Sequence, residues 1–321
     1  MNLLVTGATG FLGSRILSLA AIQDYKLSAI ARDTKLSRVT STHPEVKWHR
    51  GDFVSGFDWK EALVDVNCIV HCAARVHQMV EEQESLQLNY DETNFHATIN
   101  FAKQAAQAGV ERFIFISTIK VNGEETLNGS KFQIQVDEAS NDPYGISKYK
   151  AEQALTALAK ETSMEVVIIR PPLVYGPGVK GNFQSMIKWG CGHFPLPLGA
   201  INNKRSMVYI DNLVDLILTC TKHPNAANQI LLVSDGQDVS VSEIFSQIIK
   251  VSKSYCILLP IPMSWFRIAA KITNKPKIAQ RLCGSLQINM SQTQQLLNWS
   301  PSITWEQGIE RTVNYHLTLP N

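Results

Sequence analysis

A glycine-rich turn near the start of the chain restricts the fold more than any other feature. The apolar run from Leu3 to Thr6 predicts a buried strand, and a helical pattern extending to Ala21 follows the turn. Glycines at this spacing let the backbone approach a pyrophosphate, which rests on the N-terminus of the helix. A strand, this turn and a helix together predict a dinucleotide-binding unit. We expect cofactor contacts at Gly7, Thr9, Gly10, Phe11, Leu12 and Gly13.

Strand-like and helical segments alternate along the first half of the chain. Strand patterns recur at residues 27–31, 46–52, 68–74, 112–118 and 166–172, and a long helical pattern runs from about 81 to 108. This alternation predicts a parallel, doubly wound sheet with right-handed crossovers. Beyond residue 172 the sequence is rich in turns and its elements become shorter. We predict an α/β fold with a Rossmann-type NAD(P)-binding domain in residues 1–172 and a smaller mixed α/β substrate domain in residues 173–321, with later segments returning to the sheet.

Residues that follow the predicted strands are candidates for further cofactor contacts, because ligands bind at the carboxyl ends of parallel strands. Asp52 is placed to accept a hydrogen bond from an adenine amine, and Ala73 is small enough to let the backbone pass close to a cofactor. The candidates are Asp52, Phe53, Ala73, Ala74, Ser117 and Pro171. His71 lies inside an apolar strand, and we interpret it as a core histidine.

The end of the second strand bears on the choice between NAD(H) and NADP(H). An acidic residue there would bind the adenosine ribose, whereas an arginine can accommodate a 2′-phosphate. Arg32 occupies this place, Arg15 lies nearby in the first helix, and Asp33 is one residue beyond. We therefore favour NADP(H). NAD(H) remains an alternative if Asp33 takes the discriminating place or Arg32 is a solvated loop residue.

A tyrosine and a lysine four residues apart supply candidate acid–base chemistry. Asp142 and Pro143 predict the start of a helix, which places Tyr144 in the first turn and Lys148 one turn further on. Residues at this spacing share one helix face. An ammonium beside a phenol favours the phenolate, so we expect Lys148 to lower the pKa of Tyr144 and the pair to act as general acid and base.

Composition excludes several classes of protein. A net charge of +2 and the lack of a basic run argue against a nucleic-acid partner. The six cysteines form no CxxC pair and have no histidines at zinc spacing, so we expect free thiols and no metal site. We find no signal peptide and no apolar run long enough to span a membrane. These features predict a cytoplasmic protein without membrane contact.

The glycine turn, Ser117 with Thr118 at a strand end, and the Tyr144–Lys148 pair together resemble the extended short-chain dehydrogenase/reductase family. The chain looks most like its nucleotide-sugar epimerases, dehydratases and reductases. The resemblance implies that Tyr144 is the catalytic acid and base and that Lys148 binds the nicotinamide ribose. It also implies that Thr118 hydrogen-bonds the reacting oxygen and that Asn94 contacts the cofactor.

The same resemblance extends to the second half of the chain and suggests contacts to a UDP-sugar. Asn182 resembles the family asparagine that contacts the substrate's diphosphate or uridine, and Arg205 resembles the arginine that binds its phosphates. We expect substrate contacts from Lys120, Asn182, Leu196, Pro197, Arg205 and Arg281. Family members often dimerise through two helices, and residues 81–108 and 144–160 are the candidates for a homodimer.

One departure from the epimerase pattern bears on the reaction. Epimerases commonly carry Thr-Val-Tyr-Gly after the hydroxyl residues, whereas Lys120 and Asn122 stand in that stretch here. The change resembles a subgroup containing 4-reductases of UDP-4-keto-6-deoxy-N-acetylhexosamines, which serve bacterial surface polysaccharide synthesis. We favour this reductase. A UDP-hexose 4-epimerase is the alternative, and a non-catalytic dinucleotide sensor is a more remote one.

A stretch from Tyr255 to Lys277 mixes large apolar residues with basic ones. Such a composition suits either a membrane-surface contact or a packed helical lid. We favour the lid.

Overall fold

The computed structural model describes residues 1–32, 43–53, 56–75, 83–127, 129–136, 140–266, 280 and 282–319, with only the backbone of residues 83–86 included. Among these residues no helix is both long and apolar enough to cross a membrane.

A seven-stranded parallel sheet forms the centre of the molecule. Its strands lie in the order β3-β2-β1-β4-β5-β6-β9. The order in which the chain adds strands therefore reverses between β1 and β4. The strands are β1 (Asn2–Thr6), β2 (Lys26–Ala31), β3 (Lys47–Arg50), β4 (Cys68–His71), β5 (Arg112–Ile116), β6 (Glu165–Arg170) and β9 (Ile230–Leu232). The parallel, doubly wound sheet predicted from the sequence is therefore confirmed.

Among the described residues of the first half, helices follow β1, β3, β4 and β5. They are α1 (Phe11–Ala20), α2 (Lys60–Leu63), α3 (Gln83–Tyr90), α4 (Ala97–Gln107) and α5 (Pro143–Glu161). The long helical pattern near residues 81–108 is interrupted by a π-helical turn, Asp91–His96, that joins α3 to α4. Gly109 follows α4 with a φ of 83°, a left-handed conformation that commonly ends a helix.

The second half of the chain adds a short parallel strand pair and five α-helices whose whole length lies among the described residues. The pair consists of β7 (Leu173–Tyr175) and β8 (Met207–Tyr209). The helices are α6 (Asn182–Gly190), α7 (Ile210–Lys222), α8 (Val241–Ser252), α9 (Ser291–Leu297) and α10 (Trp305–Leu317). Strand β9 pairs with β6, so this half returns to the central sheet as the sequence suggested. The domain boundary near residue 172 stays a prediction.

Each face of the sheet packs against its own apolar cluster. Leu3 and Val5 belong to one cluster and Leu4, between them, belongs to the other, because successive side chains of a strand point to opposite faces. Both faces are therefore covered, as expected for a parallel sheet.

Only the first part of the segment that was expected to form a helical lid differs from that expectation, because residues 263–266 are helical. Residues 255–262 are not helical but run alongside residues 196–200, with Leu196 paired to Leu258 and Ala200 paired to Pro262. Pro260 and Pro262 cannot donate backbone hydrogen bonds, which favours an extended chain over a helix here. The later part, residues 267–277, lies outside the described residues.

A buried ion pair joins α5 to the sheet. The Arg170 guanidinium donates to both carboxylate oxygens of Glu152, with Nη2 lying 2.6 Å from Oε2. Its Nη1 donates to the side chain of Asn122 and to the Ile134 carbonyl. The Ser117 hydroxyl donates a short hydrogen bond to Glu152. Since both charges are buried, each depends on the other for compensation.

Replacing Glu152 with glutamine should therefore destabilise the fold strongly. The variant leaves the Arg170 charge buried without a counter-charge, which typically costs about 3–5 kcal/mol. Asp58→Asn is the control, because Asp58 pairs with Lys60 at 3.8 Å in a largely exposed site. Urea unfolding should show a loss of this size for Glu152→Gln and less than about 1 kcal/mol for the control. Equal losses in the two variants would contradict the assigned role of the buried pair.

Candidate functional site

The glycine turn packs tightly against the end of β4. Gly7 has a φ of 63°, which glycine adopts without strain. A Cβ atom at Gly7 would lie 2.7 Å from the Ala73 nitrogen, and one at Gly13 would lie 2.8 Å from the Ala8 Cα. The Gly10 N–H donates to the Gly7 carbonyl at 2.8 Å. Side chains are thus excluded from the turn at both Gly7 and Gly13.

A chain of buried hydrogen bonds fixes the segment after β4. The Ala73 N–H donates to the Thr6 hydroxyl, which lies 2.9 Å from Nδ1 of His71. Nε2 of His71 lies 3.1 Å from the Thr98 hydroxyl. Burial, and then the charge of Lys148, hold the pKa of His71 well below its ordinary value, so the ring is neutral. The interpretation of His71 as a core histidine agrees with these contacts.

Asn94 sits in the π-helical turn and connects two parts of the site. Its amide group donates to the Arg75 carbonyl and the Ser147 hydroxyl, and its oxygen accepts from the Arg75 N–H at 2.8 Å. Asn94 is fully buried. The structure thus places it where it holds the segment after β4 against α5.

Helix α5 begins as the sequence predicts. The Asp142 side chain accepts a hydrogen bond from the Gly145 N–H at 3.0 Å, and Pro143 occupies the first helical position. Tyr144 is partly buried, and its ring meets that of Tyr90 edge-on with centroids 5.9 Å apart. Tyr90 has no signal in the sequence beyond its place in a helical pattern.

The prediction that Lys148 lowers the pKa of Tyr144 was wrong. The pKa of Tyr144 is raised above its ordinary value, first by burial and then by the negative charge of Asp142 and by Tyr90. The Lys148 ammonium instead donates to the Ile116 carbonyl at 2.8 Å and lies 4.4 Å above the Phe115 ring. Burial disfavours the phenolate, and Lys148 is directed at the end of β5.

The segment after β5 meets the start of α5. Thr118 precedes a short 3₁₀ turn, and its hydroxyl accepts from the Lys120 N–H at 3.3 Å. Nζ of Lys120 lies 3.2 Å from Asp142. A Cβ on Gly145 would lie 2.7 Å from the Lys120 carbonyl oxygen. The structure therefore brings the turn carrying Thr118 against the turn carrying Tyr144.

Ser117 and Pro171, at the ends of β5 and β6, support the turn that carries Thr118. Ser117 directs its hydroxyl at Glu152, and its N–H donates to the Ile169 carbonyl. The Pro171 carbonyl accepts from the Ile119 N–H at 2.9 Å. Both residues are buried and help to position the turn at Thr118.

The candidate residues on the adenosine side lie at the ends of β2 and β3. Arg32 is exposed directly after β2. The Gly51 N–H donates to the Ala31 carbonyl, which brings Asp52 close to that strand end. The Phe53 ring stacks on Trp59 with centroids 4.7 Å apart. Asp33 lies outside the described residues.

Arg15, which supported the preference for NADP(H), has another partner. Its guanidinium donates two hydrogen bonds, of 2.6 and 2.8 Å, to the Asp211 carboxylate on α7. Arg15 therefore connects two helices in this structure. It gives no support to the prediction that the site binds a 2′-phosphate.

The predicted substrate residues lie on three segments of the second half. Asn182 is exposed at the start of α6, and Leu196 and Pro197 lie in the extended segment beside residues 257–259. Arg205 is partly buried, where its Nη1 donates to the Gly284 carbonyl at 3.1 Å. Burial lowers the pKa of Arg205. Arg281 lies outside the described residues.

A dinucleotide fits the first half of this site. The turn leaves no room for side chains, and Gly10 begins α1 without a side-chain cap. The first N–H groups of α1 thus donate to no capping side chain at that position and suit a bound pyrophosphate. The fold and this turn define a dinucleotide-binding α/β protein whose Tyr144–Lys148 helix meets the carboxyl edge of the sheet.

Comparison with known proteins agrees with this class. Residues 3–234 match the model of the NAD dependent epimerase/dehydratase family. The chain is 43% identical over 322 residues to a UDP-glucose 4-epimerase of Vibrio cholerae, covering 100% of this chain and 97% of the relative. A UDP-glucuronic acid 4-epimerase from Bacillus cereus, solved with UDP-glucuronic acid and NAD, superposes with a TM-score of 0.80 at 22% identity and full coverage of both chains.

A second relative, at lower identity, is also named as a 4-epimerase. The chain is 26% identical over 331 residues to an N-acetyl-alpha-D-glucosaminyl-diphospho-ditrans,octacis-undecaprenol 4-epimerase of Escherichia coli O157:H7, covering 98% of this chain and 95% of the relative. The chain therefore belongs to the NAD dependent epimerase/dehydratase family, within the extended short-chain dehydrogenases/reductases, as the sequence motifs indicated. It is an NAD-dependent sugar-nucleotide enzyme.

Burial of Lys148 predicts a measurable effect of pH on stability. Burial lowers the pKa of Lys148 from 10.5 to about 8. Between these two pH values the unfolded chain binds a proton that the folded chain does not. The cost of the buried charge is therefore fully present below pH 8 and disappears as the pH rises toward 10.5.

Lys148→Met should accordingly be more stable than the original chain at pH 7. A shift of this size corresponds to about 3 kcal/mol, and loss of the hydrogen bond to Ile116 offsets part of it, so we expect a gain of about 1–2 kcal/mol. The gain should vanish by pH 10 in urea unfolding of dinucleotide-free protein. Lys103→Met, on the exposed face of α4, is the control and should show no such trend. A Lys148→Met variant that is no more stable at pH 7 would contradict the buried-charge assignment.

Proposed function

We propose that this protein is an NAD-dependent UDP-hexose 4-epimerase. The observation that carries the proposal is the 43% identity to a UDP-glucose 4-epimerase over the whole chain. The geometry supports it, because the glycine turn, the turn at Thr118 and the first turn of α5 lie at one edge of the sheet. The comparisons support this function better than the 4-reductase favoured from the sequence alone.

The feature that favoured a reductase has a structural explanation. The Asn122 side chain accepts from Arg170 and donates to the carbonyls of Gln133 and Gln135. Lys120 pairs with Asp142 and Glu124. Both departures from the epimerase pattern thus support the loop around the site, and neither requires a different reaction.

In the proposed mechanism Tyr144 exchanges a proton with the C4 hydroxyl. A bound nicotinamide would supply the redox chemistry, which is reversible hydride transfer at C4 with return of the hydride to the opposite face of that carbon. Tyr144 would accept the hydroxyl proton as general base and give it back as general acid, and Thr118 would hydrogen-bond the same oxygen. Burial favours the neutral phenol, which is the form that returns the proton, and the phenolate that accepts the first proton would need a further positive charge beside the ring.

Lys148 would hold the nicotinamide ribose in the proposed complex. An ammonium has three donors, and the Ile116 carbonyl accepts one of them. The remaining donors could bind ribose hydroxyls. Lys148 would therefore position the cofactor between α5 and the end of β5.

The remaining cofactor contacts are also proposals. The glycine turn, from Gly7 to Gly13, would bind the pyrophosphate, and Asp52 would bind the adenine. Asn94 would act through the segment after β4, which it holds by hydrogen bonds to Arg75. We propose NAD⁺ as the cofactor, because the supporting contact expected from Arg15 is made to Asp211 instead.

A UDP-sugar is the proposed substrate, bound by the second half of the chain. Arg205 would bind a phosphate, and Asn182 and Lys120 would contribute hydrogen bonds. The proposed homodimer would use helices α3, α4 and α5, of which α3 exposes Leu88.

Turnover without added cofactor distinguishes the candidate functions. We expect the purified enzyme to retain NAD⁺, identified by absorbance and mass, and to convert UDP-glucose or UDP-N-acetylglucosamine to its C4 epimer. Arg32→Asp should leave this activity within about threefold of the original chain. Activity only on a 4-keto-6-deoxy sugar with stoichiometric NADPH would establish the reductase instead. Bound dinucleotide without turnover of any UDP-hexose would indicate a sensor.

Tyr144→Phe should abolish epimerisation while cofactor binding persists. The ring still packs against Tyr90, and only the phenolic proton is lost, so we expect kcat to fall by about 10²–10⁴-fold. Tyr149→Phe, on the same helix, is the matched control and should retain activity. Activity of Tyr144→Phe within a few-fold of the original chain would overturn the assignment.

A further inference from the structure

Two extended segments form a ribbon on the surface of the second half of the chain. We call residues 193–200 and 255–262 the ribbon. The Leu196 N–H donates to the Ile257 carbonyl and the Leu259 N–H donates to the Leu196 carbonyl, both at 2.8 Å. The Gly199 N–H donates to the Leu259 carbonyl at 2.9 Å. These hydrogen bonds fix which side chains face inward.

The inward side of the ribbon packs normally, whereas its outward side is unusual. Leu196 and Leu258 pack against a buried cluster that includes Val241 and Phe245. The outward positions of a half-buried extended segment are ordinarily polar. Here the residues Tyr255, Ile257 and Leu259 are exposed by 81%, 63% and 41%.

Further aromatic residues extend this apolar surface. Phe194 is exposed in the neighbouring segment, and the His193 ring faces the Tyr255 ring with centroids 6.1 Å apart. Trp189 is exposed beside Gly190, whose carbonyl accepts from Ser254. Trp265 is exposed just after the ribbon. Such a group of exposed aromatic and aliphatic side chains marks an interaction surface. We call Trp189, Phe194, Tyr255, Ile257, Leu259 and Trp265 the apolar patch.

The charge of the surrounding sequence has one sign. No Asp or Glu occurs between Glu165 and Asp211 or between Glu243 and Glu306, and every residue of the patch lies inside these two stretches. Among the described residues the second stretch contains Lys250 and Lys253, and both are exposed. Lys188 is exposed directly before Trp189, and Lys253 is exposed two positions before Tyr255. The patch is therefore apolar and aromatic, and within the described part of the chain the exposed charges nearest to it in the sequence are lysines.

This charge pattern discriminates between the surfaces that could cover the patch. A second copy docked patch to patch would place lysines against lysines, and like charges oppose association. An anionic lipid surface meets both requirements, because its headgroups attract lysines and its interface accepts Trp and Tyr side chains.

We propose that the apolar patch docks this protein reversibly onto anionic phospholipid bilayers. The aromatic rings enter the headgroup region and the flanking lysines contact the phosphates. The second half of the chain, in which the substrate residues are proposed, is thereby held at the membrane surface. This proposal stands independently of the epimerase reaction.

Flotation of the full chain with vesicles tests the proposal. We expect binding to vesicles of phosphatidylglycerol and phosphatidylcholine, and at least about tenfold weaker binding to phosphatidylcholine alone. The variant Tyr255→Ser, Ile257→Ser, Trp265→Ser should lose at least about tenfold in partition to the anionic vesicles. Ile22→Ser, Val64→Ser, Leu127→Ser is the matched control, because these side chains are as exposed but lie elsewhere in the fold. The control should bind as the original chain does.

Two measurements make the result decisive. Thermal unfolding of both triple variants should match that of the original chain, which shows that a loss of binding does not come from a loss of folding. The double variant Lys188→Glu, Lys253→Glu supplies a second test, of the charge requirement. An original chain that stays unbound at low salt, or a patch variant that binds as well as the control, would overturn the proposal. Light scattering that shows a dimer converted to monomer by the patch variant would assign the patch to a second copy and also overturn it.

Discussion

The buried pair of Arg170 and Glu152 is the interaction on which the candidate site depends. It connects β6 to α5, and the Ser117 hydroxyl adds the end of β5 to the same carboxylate. Tyr144, Lys148 and Glu152 are four residues apart in succession, so they share one face of α5. Fixing Glu152 therefore fixes the rotation of the helix and the position of the other two side chains. Asn122 completes the guanidinium's partners and carries the constraint into the loop after Thr118.

The same burial that fixes the helix sets the protonation of its side chains. Burial lowers the pKa of Lys148 and raises that of Tyr144, so both charged forms are disfavoured. A direct effect of the lysine on the tyrosine, which the spacing suggested, is replaced by separate partners. Lys148 donates to Ile116, and Tyr144 lies against Tyr90. The site thus favours a neutral phenol, and forming the phenolate requires a further positive charge close to the ring.

Local sequence signals predicted the parts of the site that local chemistry determines. Gly7 and Gly13 are required by close backbone approach, and Asp142 caps α5 as its sequence context indicated. The parallel sheet followed from the alternation of strands and helices. These features depend on neighbours in sequence or on a regular period, and both can be detected without coordinates.

Contacts between distant segments could not be predicted in the same way. Arg15 was expected near the cofactor, but its partner is Asp211, far along the chain. Lys120 and Asn122 suggested a different reaction until their contacts with Asp142 and Arg170 explained them. A charged or amide side chain can choose among many partners, and only the folded chain determines which one it meets.

Isotope retention at C4 tests the proposed mechanism most directly. UDP-glucose carrying deuterium at C4 would be converted by the purified enzyme, and the product would be analysed by mass and NMR. Transfer to a cofactor that stays bound, with Tyr144 handling only the hydroxyl proton, predicts a C4 epimer that keeps its deuterium at C4. Loss of the label to solvent, or its release in free reduced cofactor, would contradict the mechanism.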